Sequence, residues 1–158
     1  MLLSNRRRYF IELLHVIVII SILVVIAVKS YQVFLAKAEV TSMVYRFHFA
    51  SAKTGNLMYF ALHGEFPQNT EQALALLPPE NWYIEPERKV VIEQGAVHVS
   101  SSTRRLAGKT LTMRPVVQED DPTGAVHWVC GNKRESGWKV FGVDRTDIED
   151  RHIPAVLK

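Results

Sequence analysis

The segment from Phe10 to Val28 constrains the fold of this chain more than any other, because it is aliphatic on every side. Only Glu12, His15 and Ser21 interrupt it. As an α-helix, its 19 residues extend roughly 28 Å, close to the thickness of a bilayer's hydrocarbon core. The run is longer than a signal-peptide core and no small-x-small cleavage site follows it, so it predicts a retained membrane helix. A buried core helix is the alternative, although such helices are rarely apolar on every face.

Basic residues lie on one side of this run. Arg6, Arg7 and Arg8 directly precede it, so the positive-inside bias predicts a cytoplasmic N-terminus and export of everything after Tyr31. The first 29 residues carry the whole net charge of +3, and the remaining residues are balanced. The basic character therefore belongs to the anchor, which argues against nucleic acid as a partner.

The helical pattern continues beyond the apolar run. From Lys29 to His63 there is no proline, and apolar residues recur at helical spacing with charged residues between them. This predicts a membrane helix that continues into an amphipathic half, with Gly55 as a weak point because glycine costs about 1 kcal/mol relative to alanine. Gly64 is predicted to cap the helix, and Pro67 blocks any continuation.

The second half of the chain predicts strands. Asn69 or Thr70 is expected to cap a short helix ending at Leu77, and the strand pattern begins after Arg88. Pro115 indicates an edge or a bulge in the third strand. The predicted strands are residues 89–93, 96–100, 109–117 and 125–130, with a short fifth at 137–141, and Gln94-Gly95 forms a tight turn between the first two.

The predicted fold class is therefore α+β, with a long N-terminal helix packed on an antiparallel sheet of about four strands. The polar, proline-containing tail after the fifth strand predicts no regular element. The expected segments are a basic leader (1–8), a membrane half (9–30), an amphipathic half (31–63), a connecting loop (64–87), and the sheet with the C-terminal tail (88–158).

No pattern in the sequence indicates an enzyme. The six histidines lack metal-ligand spacing, and no nucleotide-binding or hydrolase motif is present, so no catalytic, metal or cofactor residue is predicted. The single thiol, Cys130, excludes an internal disulfide and is expected to be a buried strand residue, with pairing between chains as the alternative. The basic loop at Arg104, Arg105 and Lys109 is expected to be a solvated hairpin end rather than a DNA contact.

The chain resembles the type IV pilins. The apolar run, with a glutamate near its start and Tyr-Gln after its end, is similar to the family's N-terminal helix. Later segments resemble the G-x-Y-P sequence that ends this helix and the family's central strands. The last two resemble its late W-x-C strand and its closing L-P-A sequence. The matching residues are Ile11-Glu12-Leu13, Ile26-Ala27-Val28, Tyr31-Gln32, Gly64–Pro67, Ala96–Val99, Leu106–Leu111, Ala125–Gly131 and Ile153–Ala155.

This resemblance implies a structural subunit of a surface filament, or fimbrium, that waits in the bacterial inner membrane. Its implied partners are other pilin subunits and the pilus assembly machinery, and Glu12 would pair with the N-terminal amine of a neighbouring subunit. The residues give an independent reason, because an unpaired acid in a bilayer costs a few kcal/mol and persists most easily where pairing offsets this. The alternative is an interfacial acid neutralised by Arg8, one helical turn away. His15 either hydrogen-bonds Glu12 or is a tolerated polar residue.

Three departures from the family pattern accompany the resemblance. The implied processing junction falls between Arg7 and Arg8, where the family has glycine before the cut, which argues against cleavage and N-methylation there. Lys29 replaces a helix-bending proline, and Val156 stands where the family has its closing cysteine, so the stapling disulfide is absent. These departures favour a minor or divergent subunit. The competing hypotheses are an uncleaved, membrane-anchored accessory or binding protein and a pseudopilin of type II secretion, against which the W-x-C strand argues.

Overall fold

The structure is a computed structural model that describes residues 2–49, 51–78, 90–101, 103, 105–121, 124–131, 133 and 136–154. It forms two compact units, Met1–Leu35 and Ala36–Lys158. The first unit is helical throughout its described part. The second contains the remaining helices and the sheet. The C-terminal residues 155–158 and the last part of the predicted connecting loop, residues 79–87, lie outside the described residues.

The described elements confirm the predicted α+β class. The helices are α1 (Leu2–Phe49), α2 (Ser51–His63) and α3 (Thr70–Leu74), and a short 3₁₀ turn follows late in the chain at Asp150–His152. The strands are β1 (Val90–Glu93), β2 (Ala96–Ser100), β3 (Thr110–Gln118), β4 (His127–Cys130) and β5 (Trp138–Val140). All strand pairs are antiparallel.

The predicted helix caps are confirmed by their hydrogen bonds. Gly64 ends α2 with a φ of 74°, and its N–H donates to the Phe60 carbonyl at 2.8 Å. The Asn69 side chain accepts from the N–H of Gln72 at 2.9 Å and caps α3. The predicted end of α3 at Leu77 was wrong, since α3 ends at Leu74. The Leu77 N–H instead donates to the Leu74 carbonyl at 2.9 Å, which is the three-residue spacing of a 3₁₀ turn.

Gly55 has a packing role that the sequence did not predict, and its weakening of the helix stays a prediction. A Cβ at this position would lie 2.2 Å from the Ala73 carbonyl oxygen and 3.3 Å from the Leu77 side chain. Glycine thus allows the backbones of α2 and α3 to approach each other closely. The helical stretch predicted to run to His63 is described as α1 and α2 on either side of residue 50, which itself lies outside the described residues.

The sheet has the order β1-β2-β3-β4, and β5 also pairs with β3. Met113 pairs with strands β2 and β4, and Val116 pairs with β4 and β5, so β2 and β5 follow one another along the same side of β3. Pro115 was predicted to mark an edge or a bulge. It lies instead within the central strand, between the last residue paired with β2 and the first paired with β5, where a missing N–H is tolerated.

The two faces of the sheet differ in chemistry because side chains alternate along each strand. One face is apolar and packs with Val40, Met43 and Val44 of α1, which are all at least 92 % buried. The buried apolar residues that this face contributes are Ile92, Val97, Val99, Leu111, Met113 and Cys130. Ile148 and Ile153 from the C-terminal tail complete the same core. The second unit is therefore held by one continuous hydrophobic cluster.

The C-terminal tail adopts a defined path despite its polar sequence. We call residues 142–147 the strap. The Thr146 hydroxyl accepts from the Thr112 N–H at 3.1 Å, and the Asp147 carboxylate accepts from the Thr110 N–H at 2.6 Å. The pairing of β3 with β4 begins only at Met113, so β4 leaves the N–H groups of Thr110 and Thr112 unpaired. The strap supplies their acceptors. A Cβ at Gly142 would lie 2.5 Å from the Ala96 side chain, so only glycine fits where the strap crosses β2.

Candidate assembly site

The N-terminal part of α1 exposes a complete cylinder of apolar side chains. Each large apolar residue from Tyr9 to Val28 is between 49 % and 69 % exposed. A helix from Arg8 to Tyr45 is long and apolar enough to cross a membrane. Because soluble proteins rarely leave such a large apolar area in water, this surface requires a cover of lipid or of other apolar helices.

The neutral polar groups of the apolar run hydrogen-bond to their own helix. The His15 Nδ1 lies 2.7 Å from the Ile11 carbonyl oxygen, and the Ser21 hydroxyl donates to the Ile17 carbonyl at 2.8 Å. Because the carbonyl only accepts, Nδ1 carries the proton. The hydrogen bond described for His15 is therefore to its own helix, and its relation to Glu12 stays a prediction.

Glu12 is exposed on this helix, as are Arg6 and Arg8. Of the ion pairs between residues that the structure describes, none involves these three side chains. The Arg7 side chain lies outside the described part. The carboxylate of Glu12 is thus accessible to a group from outside the chain.

Sequence reasoning missed a buried polar cluster beneath the strap. His98 and Thr112 are paired residues on the face of the sheet opposite the core, and they are 4 % and 0 % exposed. The His98 Nδ1 lies 3.0 Å from the Thr112 hydroxyl, which also accepts from the N–H of Arg145 at 3.0 Å. The Arg145 guanidinium lies 2.6 Å from the Glu93 carboxylate, and the His98 Nε2 lies 3.7 Å from the same oxygen atom.

The geometry is compatible with a neutral His98. A hydroxyl has one proton and two lone pairs, so Thr112 can donate to the His98 Nδ1 while it accepts from the Arg145 N–H. Burial lowers the pKa of His98 below its ordinary value of 6.5, and the nearby Arg145 charge lowers it further, against an opposing effect of Glu93. The neutral ring is therefore part of the native fold.

Replacing His98 by glutamine should flatten the dependence of stability on pH. Because the pKa of His98 is lowered in the folded state, the unfolded chain protonates first as the pH falls through 6.5. The stability that the neutral His98 contributes is therefore fully present above pH 6.5. Below that pH the free energy of unfolding declines by at most about 1.4 kcal/mol per pH unit on account of this residue. Urea unfolding of both proteins between pH 5 and 7.5 measures the difference, and parallel pH profiles for the two would contradict the assignment.

The remaining predicted residues lie in structural positions. Cys130 is a free, buried thiol, as predicted, and burial followed by the Asp144 charge raises its pKa to about 11, which keeps it protonated and unreactive. Lys109 of the basic loop lies 3.5 Å from the Asp147 carboxylate, so part of its charge is balanced. Arg104 lies outside the described residues. Among those that the structure describes, no group of histidine, cysteine and acidic residues could hold a metal ion.

Arg114 is a buried cation that the sequence did not reveal. It is 4 % exposed, and its Nε and Nη2 donate to the Gly131 carbonyl at 3.0 and 2.6 Å. Nη2 also lies 3.3 Å from the Lys133 carbonyl oxygen. The guanidinium thus fixes the chain where it leaves β4. Its partners are backbone carbonyls, which no residue pattern could indicate.

The described part of the chain has an exposed apolar helix at its N-terminal end. The second half of that helix encloses a core with a small antiparallel sheet, which defines an α+β protein. The sequence profile of the pilin family, which are bacterial filament proteins, matches residues 36–158. The chain belongs to this family, which confirms the resemblance found in the sequence. Pilins are structural proteins rather than enzymes.

Individual relatives agree with the family match. The chain is 27 % identical to a type IV major pilin protein, PilE1, of Neisseria gonorrhoeae, across 94 % of this chain and 84 % of that protein. It is 28 % identical to a fimbrial protein of Neisseria meningitidis, across 94 % of this chain and 91 % of that protein. The similarity therefore includes the N-terminal helix as well as the sheet.

Proposed function

We propose that this chain is a type IV pilus subunit that is held in the inner membrane by its N-terminal helix and then enters or primes a surface filament. The basic residues Arg6, Arg7 and Arg8 keep the N-terminus in the cytoplasm. The residues after Tyr31 are exported. In the filament, the apolar helices of neighbouring copies bundle together and exclude water.

The observation that carries this proposal is the uniform exposure of the apolar run. A stripe on one face would suit packing against a single partner, but here every large apolar side chain between Tyr9 and Val28 is about half exposed. Such a helix needs an apolar environment on all sides. Lipid supplies that environment before assembly, and a bundle of identical helices supplies it afterwards.

Glu12 gives the bundle its register. An ionised acid in an apolar bundle is costly unless a cation pairs with it, and a single buried polar pair selects one alignment of helices over others. A free N-terminal amine of a neighbouring copy supplies the cation if the chain is cleaved between Arg7 and Arg8. Arg8 of a neighbouring copy supplies it if the leader is retained.

The N-terminal mass of the protein tests this function. Protein should be recovered from filaments sheared off the cell surface as well as from membranes, and mass spectrometry of the two fractions identifies the first residue. A methylated chain starting at Arg8 in filaments supports a processed subunit, and an intact N-terminus in filaments supports an unprocessed one.

A second function is favoured by one specific observation, the arginine at position 7 where the family has glycine before the cut. An uncleaved chain anchored in the membrane would serve as an accessory or binding protein with a pilin fold. Recovery of the chain only from membranes, with Met1 intact, would support this second function and exclude the filament subunit.

A further inference from the structure

A partly open cavity of about 250 Å³ lies between α1 and the loop that joins β2 to β3. Its lining combines a carboxylate, three hydroxyls and a thioether. The lining residues are Glu39, Ser42, Met43, Ser101 and Thr103. The cavity lies outside the apolar run, and nothing in the proposed pairing of Glu12 involves it.

The carboxylate in this cavity is held in place. Glu39 is half-buried, and its Oε1 accepts a hydrogen bond of 2.5 Å from the Ser101 hydroxyl, which lies 3.1 Å from the hydroxyl of Thr103. Met43 is 3 % exposed and supplies an apolar wall. Among the described residues, Glu39 has no ion pair. A fixed anion beside an apolar wall suits an ammonium group on an aliphatic stem, which is the shape of a lysine side chain.

The chain itself supplies such a group in an unfavourable place. Lys29 directly follows the apolar run, is exposed, and has no ion pair with any residue that the structure describes. In a membrane its long side chain extends to the interface and stays hydrated. When the helices bundle and water leaves, an unpaired ammonium becomes costly, so it needs an anion from a neighbouring copy.

We propose that Lys29 of one copy inserts into the Glu39 cavity of a neighbouring copy in the assembled filament. Each copy carries both the ammonium group and the carboxylate, so a helical arrangement of copies can repeat the contact along the filament. This inference rests on the proposed filament function. It adds a second polar contact that is independent of Glu12 and specific to this chain's replacement of proline by Lys29.

A charge exchange tests the contact in cells that assemble the full-length chain. Lys29→Glu and Glu39→Lys alone should each lower the amount of sheared filament by about tenfold or more, because each leaves two like charges facing one another. The double variant should restore it to within about twofold of the wild type. Lys37→Glu is the matched control, since it makes the same charge change on an exposed residue of α1, and it should neither lower filament yield nor rescue Glu39→Lys.

A cross-linking experiment keeps the proposal testable if a charge variant fails to accumulate. In a Cys130→Ala background, Lys29→Cys with Glu39→Cys should give a ladder of linked chains in filaments treated with a short bifunctional maleimide, and neither single cysteine should do so. Filaments without a ladder, or a double charge variant no better than the singles, would overturn the contact while leaving the filament function intact. Absence of filaments from the wild type would overturn both.

Discussion

Replacing Glu12 by alanine should abolish filament assembly and leave membrane insertion unchanged. Insertion depends on the apolar run and the preceding arginines, which the substitution does not touch. Assembly removes the helices from lipid and places a neighbour's cation opposite position 12. Without the carboxylate, that cation is buried without a partner, at a cost of about 3–5 kcal/mol for each contact along the filament.

The measurement compares the protein in sheared filaments with the protein in the membrane fraction. Glu65→Ala is the matched control, because Glu65 is also an exposed acid but lies in the loop after α2, and its filament yield should equal that of the wild type. Glu12→Gln separates charge from hydrogen bonding and should fail as alanine does. Normal incorporation of Glu12→Ala into filaments would refute the pairing role.

Truncation of Leu111 to alanine should destabilise the second unit, Ala36–Lys158, by about 2–5 kcal/mol. Leu111 lies in the central strand, is 0 % exposed and belongs to the single core cluster, so its removal leaves a cavity that the surrounding side chains cannot fill. Urea unfolding of the full chain in detergent, followed by tryptophan fluorescence, reports the loss because Trp128 and Trp138 both lie in the sheet.

The control for this prediction is Leu62→Ala. Leu62 has the same side chain but is 67 % exposed on α2, so its truncation should change stability by less than about 0.5 kcal/mol. Equal destabilisation by the two variants would show that the core does not lie where the structure places it. A loss of stability confined to the Leu111 variant supports the apolar face of β3 as the centre of the second unit.

Local signals explain why much of this fold could be predicted from the sequence. The helix caps at Gly64 and Asn69 and the turn at Gln94-Gly95 depend on residues a few positions apart, so the chemistry that specifies them is visible as a motif. The core strands are visible as apolar runs. The extent of α3 was predicted less well, because the end of a short helix depends on contacts with α2 that its own sequence does not contain.

Contacts between distant residues explain what the sequence did not predict. His98 alternates with two valines, the pattern of a strand with one face in water, but the strap covers that face and Arg145 comes from 47 positions further along the chain. The Ser101–Glu39 bond likewise joins residues that are 62 positions apart. In each case the individual residues are ordinary polar surface types, and only the topology gives them a buried role.

The assembly role of Glu12 remains a prediction from the family pattern and from the cost of an acid in an apolar helix. The single-chain structure shows its carboxylate exposed on a fully apolar cylinder. The contact it is proposed to make requires a second copy. No property of one chain alone specifies which group of that copy it meets.

If the second unit is exported as proposed, the position of Ile153 in the same core as Val40 limits when that unit can finish folding. A chain anchored by its N-terminal helix delivers its C-terminal residues across the membrane last. The core therefore lacks part of its apolar contacts, and β3 lacks part of its edge, until the final segment has emerged. With contacts this distant in sequence, folding should be slow relative to local helix formation. Under the proposed function, completion of the fold is thus coupled to completion of translocation, and a truncated or stalled chain would give the filament no finished subunit.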